Sequence, residues 1–231
     1  DATPLDMLTI FDATEVNFAG ALHTGHLRFH GDATIDRLAL GNVDNLTLGD
    51  PGDDEVQTLN FLDELDTHVV DEGEDGGEVV LAGTVRTAEQ TATFGDVTVD
   101  ADSVVDTTWD PDADGGNGDD GEDDPPPAGA DIQFGLDDGD GDDGYSGNIT
   151  GDASLSLNAG MLGDATLASP VGNPADADGE NDESNALGGD FHVEGANIEL
   201  SNAVTTGDQS YRVMVPEEPA NGNGDEGDVP E

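Results

Sequence analysis

The sequence predicts an all-β protein: an antiparallel β-barrel or sandwich of jelly-roll type, built as two β-domains with long acidic loops. Three observations predict it. Apolar and polar residues alternate with period two along much of the chain, as in half-buried strands with one wet face. Gly-Asp dipeptides, favoured in turns, separate the alternating stretches. A helical pattern is suggested only over Leu59 to Val69.

Taken in order, Leu27 and Phe29 alternate with His26, Arg28 and His30, and Val97 and Val99 with Asp96, Thr98 and Asp100. The same alternation recurs at Ala153, Leu155 and Leu157, at Phe191 and Val193, and at Tyr211, Val213 and Val215. Turns are expected at Gly31-Asp32, Gly49-Asp50, Gly95-Asp96, Gly151-Asp152, Gly163-Asp164 and Gly189-Asp190. Four Gly-Asp pairs lead directly into alternating apolar residues, at Gly31–Ile35, Gly95–Val99, Gly151–Leu155 and Gly163–Leu167. Their irregular spacing favours turns placed for local reasons over the fixed period of a stacked β-solenoid. The clearest break is the stretch 110–127, which lacks large apolar residues and ends in three prolines, a semi-rigid composition. It divides the chain into a β-domain at 1–109, an acidic linker or long loop at 110–127, and a second β-domain, or completion of the first, at 128–215. A mobile acidic tail is expected at 216–231.

Charge narrows the function classes. The 231 residues carry 55 Asp and Glu against four arginines and no lysine, a formal net charge of -51. Such a chain repels itself in dilute buffer. Molar salt shortens the Debye length to about 3 Å and removes most of that repulsion. An acidic composition poor in aromatics is also the signature of disorder, but here the apolar residues are patterned. With so few cations to release counterions from phosphates, direct nucleic-acid binding is not expected. No apolar run reaches a transmembrane length, and there is no cysteine to form a disulfide. The chain opens on Asp1-Ala2-Thr3-Pro4, without methionine or a signal-peptide pattern. That opening fits removal of either a signal peptide or an initiator methionine.

Two groups of residues are candidates for a site. Asp110, Asp112 and Asp114, followed by Gly115, match the first half of a calcium-binding loop, where carboxylates converge about a glycine turn. The twelfth position is Gly121, with Glu122 one residue late, so Ca2+ or other cations are an option rather than a required cofactor. A second acidic triplet, Asp138, Asp140 and Asp142, has Asp143 where the loop needs glycine. The other group is cationic: His23, His26, Arg28, His30 and Arg37, with Arg212 as a separate member. On a strand, His26, Arg28 and His30 share one face. Three histidines suit zinc, but no acid at a convincing spacing completes the set. The stripe is expected to meet carboxylates, either within the fold or on a neighbouring subunit, with the intersubunit contact favoured. Catalysis is not expected: lysine and cysteine nucleophiles are absent, and no G-x-S-x-G elbow occurs. Two sequons, Asn45-Leu46-Thr47 and Asn148-Ile149-Thr150, fit exposed segments.

In size, acid-rich composition, all-β patterning and two-part layout about Asp110–Pro127, the chain resembles the major capsid proteins of haloarchaeal icosahedral viruses with an internal membrane. That family belongs to the vertical single β-barrel lineage. The resemblance implies upright barrels packed side by side around a membrane vesicle, with a second β-domain projecting outward. It carries no motif, so no family residue is transferred. The expectation is a structural, self-assembling subunit of an extreme halophile system, in the first place a viral major capsid protein, located in a virion or at the cell surface. Its partners would be copies of itself and other structural subunits. A haloarchaeal surface filament or S-layer subunit is the first alternative, and a secreted calcium-dependent binding module the second.

Overall fold

The computed structural model describes residues 6–18, 20–50, 56–67, 70, 78–111, 128–135, 147–172 and 186–215. Their strands pair in parallel throughout. This overturns the antiparallel barrel or jelly roll. The chain winds in successive coils, each laying a strand on the one before, as in a β-solenoid.

Three faces wrap the stack. The first is built from β3 (Leu40–Gly49), β6 (Glu78–Ala82), β9 (Val97–Val99) and β12 (Ile149–Gly151). The second contains β4 (Thr58–Phe61), β7 (Thr84–Thr87), β10 (Ser103–Asp106), β13 (Leu155–Asn158), β15 (Phe191–Gly195) and β17 (Gln209–Val213). A long strand, β2 (Leu22–Arg37), pairs with β3 through one half and with β4 through the other. It joins the two faces into one 12-stranded sheet, with β1 (Leu8–Asn17) laid along it. The third face is a 5-stranded sheet of β5 (Leu65–Asp66), β8 (Ala92–Phe94), β11 (Ile132–Phe134), β14 (Asp164–Leu167) and β16 (Asn197–Leu200).

Inward side chains stack into columns one coil apart. On the first face the column runs Leu27, Leu46, Val79, Val97, Ile149, Val171 and Ala203. On the second it runs Ala13, Ala33, Leu59, Val85, Val105, Leu157, Val193 and Tyr211. On the third, Phe94 and Phe134 stack at 4.7 Å between ring centroids. All but the outermost residues of these columns are buried and share one core. Each buried Leu, Val or Phe contributes about 1.5–3 kcal/mol.

Period-two alternation thus locates the inward residues, since Leu27, Phe29, Val97, Val99, Leu155, Leu157, Phe191 and Val193 are all buried. It does not reveal pairing direction, because both kinds of sheet share that period. The Gly-Asp pairs are corners of the coil rather than hairpin turns. They lead into different faces, which is why their spacing is irregular. The described part of Leu59–Val69, residues 59–67, is not helical: Leu59 lies in β4, Leu65 in β5, and Leu62 is exposed at the corner between them. Residues 112–127 lie outside the described residues, and the strands flanking them meet at one corner. Thr107 Oγ1 donates to Ala130 O at 2.7 Å and accepts from Ala130 N at 3.0 Å, tying the two ends together. Strands β11 to β17 continue the sheets begun before it. The expected tail at 216–231 lies outside the described residues.

Candidate functional site

The cationic stripe is set by β2. Its alternation slips between Thr24 and Leu27, both buried, so that His23 and His26 lie on the outer surface. Arg28 and His30 flank the inward Phe29 and reach the same carboxylate. Arg28 Nη2 donates to Asp50 Oδ1 at 2.6 Å. His30 Nδ1 approaches Asp50 Oδ2 at 2.5 Å, without hydrogen-bond geometry, and is an ion pair when the imidazole is protonated. Gly49, at φ 100°, turns the chain so that Asp50 faces the stripe, and a Cβ there would lie 2.2 Å from Ala82 O. The Asp50 side chain is 12% exposed, so this pair is better shielded from salt than an open surface pair. His30 also meets the Phe11 ring edge-on at 5.0 Å. His26 Nε2 lies 2.9 Å from Thr47 Oγ1. Arg37 is exposed at the end of β2. Arg28 and His30 thus find a carboxylate within the chain itself.

Asp110 is exposed after Trp109. Asp112, Asp114 and Glu122 lie outside the described residues, as do Asp138, Asp140 and Asp142. No group of three or more His, Asp or Glu placed to hold a metal occurs among the described residues. The sequons differ in setting: Asn45 is half-buried within β3, its amide 3.5 Å from Gly25 O, whereas Asn148 is exposed at a corner.

Two arrangements were not anticipated. The first is a series of carboxylates bridging successive coils. Asp96 Oδ1 accepts from Asn148 N at 2.8 Å and from Asn148 Nδ2 at 3.1 Å. Asp32 accepts from Thr58 N, Asp102 from Ser154 N, Asp131 from Asp164 N and Asp190 from Asp208 N, at 2.7–3.0 Å. Asp106 Oδ1 takes three donors: Thr108 N, Thr108 Oγ1 and, one coil on, Asn158 Nδ2. Each is a charge-assisted bond to a group the corner would otherwise leave to water.

The second arrangement lies on the outer surface of the second face. His192 Nδ1 meets Ser210 Oγ, and His192 Nε2 lies 3.1 Å from Glu194 Oε1. Arg212 Nη1 donates to the same Glu194 oxygen at 3.3 Å. The order Ser, His, Glu is that of a nucleophile, base and orienting acid. Here, however, the groups stand on the open face of a sheet, and the acid is shared with an arginine. They form a polar ladder between β15 and β17. On the inward side of β17, the Tyr211 hydroxyl donates to Gln209 Oε1 at 2.9 Å, and partial desolvation of this exposed side chain raises its pKa above the ordinary 10.0. A recurring offset is the signal for part of both arrangements. Donor and acceptor are 18 residues apart across β15 and β17 and from Asp190 to Asp208, and 52 apart for Asp96–Asn148, Asp102–Ser154 and Asp106–Asn158, whereas Asp32–Thr58 and Asp131–Asp164 are 26 and 33 apart.

No protein-family model, curated protein or solved structure matches the chain.

Proposed function

We propose that the chain is a non-catalytic, self-assembling structural subunit of an extreme halophile system, working outside the cell in molar salt. The observation that carries this reading is where the reactive side chains are engaged. Corner carboxylates bind the next coil, Arg28 and His30 close on Asp50, and His192 and Arg212 close on Glu194. Acid-base groups serve as scaffold. The likeness to capsid proteins implied upright barrels, whereas a stack of parallel coils has a growth axis along its sheets. A surface filament or S-layer lattice therefore suits this architecture better than a capsomer.

Light scattering combined with circular dichroism, from molar KCl down to about 0.1 M, tests the reading as the Debye length lengthens from about 3 to about 10 Å. The expected outcome is particles heavier than one chain at molar salt, which dissociate and lose β signal as the salt falls. A folded monomer of constant size at every salt concentration would overturn it.

A further inference from the structure

We infer that copies join head to tail, β17 of one molecule pairing in parallel with β1 of the next, so that the coil stack continues across the contact. This rests on the self-assembly reading above and names the surface that performs it. Among the described residues, β17 pairs on one side only, with β15, and every residue in it is exposed. Tyr211 and Val213 are 44% and 57% exposed, although they follow buried Val193 and Gly195 in register. At the other extreme, β1 pairs, among the described residues, only with β2. Its inward residues Leu8, Ile10, Ala13 and Val16 are only partly buried.

The two surfaces are matched. Ala13 and Tyr211 are the outermost members of one inward column, and Leu8 and Ala203 of another. Continuing the stack by one coil places Ala13 of the next copy beside Tyr211 and Leu8 beside Ala203. Charge follows the same register. Ala13 pairs with Ala33 and Val16 with Ile35, so the irregularity between them sets Thr14 and Glu15 across from Thr34. Thr34 begins the outer row that ends in Glu194 and Arg212. The next copy's exposed Glu15 therefore falls beside Arg212, which is 68% exposed and already holds Glu194. One guanidinium then bridges two carboxylates across the seam. An open parallel edge supplies backbone donors and acceptors along the same line. At -51 per copy, the contact forms only where salt screens the bodies from one another.

The chain has no cysteine, which makes cross-linking selective. Neighbouring strands stand about 4.8 Å apart, a spacing that admits a disulfide. Ala13→Cys and Tyr211→Cys chains mixed under oxidation in molar KCl should link to each other, and the double variant should give a ladder of covalent oligomers. Separately, Arg212→Glu and Glu15→Arg should each abolish assembly, and their combination should restore it. Like-with-like dimers of either single-cysteine chain would overturn the head-to-tail contact. So would continued assembly without mixed disulfides, which leaves the self-assembly reading standing. Failure of the unmodified chain to assemble in light scattering overturns both. If residues 216–231 cover β17 instead, no mixed disulfide forms and the inference fails.

Discussion

Asp106 shows how single residues hold the coils together. Its carboxylate takes two donors from its own corner and one from Asn158 on the next coil. Replacing it with alanine leaves those donors to water or to nothing. Asp106→Ala is expected to lower stability in molar KCl by about 1–3 kcal/mol, read from chemical denaturation. Glycine matters where coils approach most closely. Gly151, at φ 126°, would carry a Cβ 2.2 Å from Val99 O, which is backbone and cannot swing away. Gly151→Ala should therefore destabilise by more than about 1 kcal/mol. Gly20, where a Cβ would meet nothing within 4 Å, should accept alanine within about 0.5 kcal/mol.

At the scale of elements, the short strands of the third face depend on their aromatic pair. Phe94 on β8 and Phe134 on β11 are fully buried and stacked. Phe134→Ala should cost about 3–5 kcal/mol, whereas Phe11→Ala, at a site 64% exposed, should cost far less. Chemical denaturation of the two variants compares them. Replacing residues 112–127 with a short Gly-Ser linker should leave the melting temperature within a few degrees, because Thr107 and Ala130 on either side of them are already hydrogen-bonded to each other. The inward faces of the strands were legible in the sequence, and so was the shared outer face of His26, Arg28 and His30. The winding was not. Leu59, Leu62 and Leu65 stand three apart like a helical stripe, yet they sit on two faces and the corner between them. The coil period shows between His192 and Ser210, but insertions stretch it elsewhere and hide it. Nor could the sequence tell that Tyr211 and Val213, which alternate like core residues, belong to an outermost coil where the inward side is open.

For the whole molecule, charge and core occupy separate parts of the chain. More than half of its 55 acidic residues fall in 51–55, 71–77, 112–127, 136–146, 173–185 and 216–231, outside every described strand. The core columns are uncharged. Lowering salt therefore acts on repulsion among the acidic segments between the strands, and the coils that meet it with the least burial, β1 and β17, should exchange backbone amides first. Hydrogen exchange at intermediate KCl checks this: early exchange in β9 or β10 would contradict it.

The corners also separate mass from length. An excursion between two strands adds residues without adding a rung, and each rung advances the stack by about 4.8 Å. The dimension of this molecule along its axis is therefore counted in coils, not in amino acids. Shortening 112–127 should make the particle lighter and no shorter, while inserting one uncapped coil of the eighteen-residue kind that separates Val79 from Val97 should lengthen it by a single step.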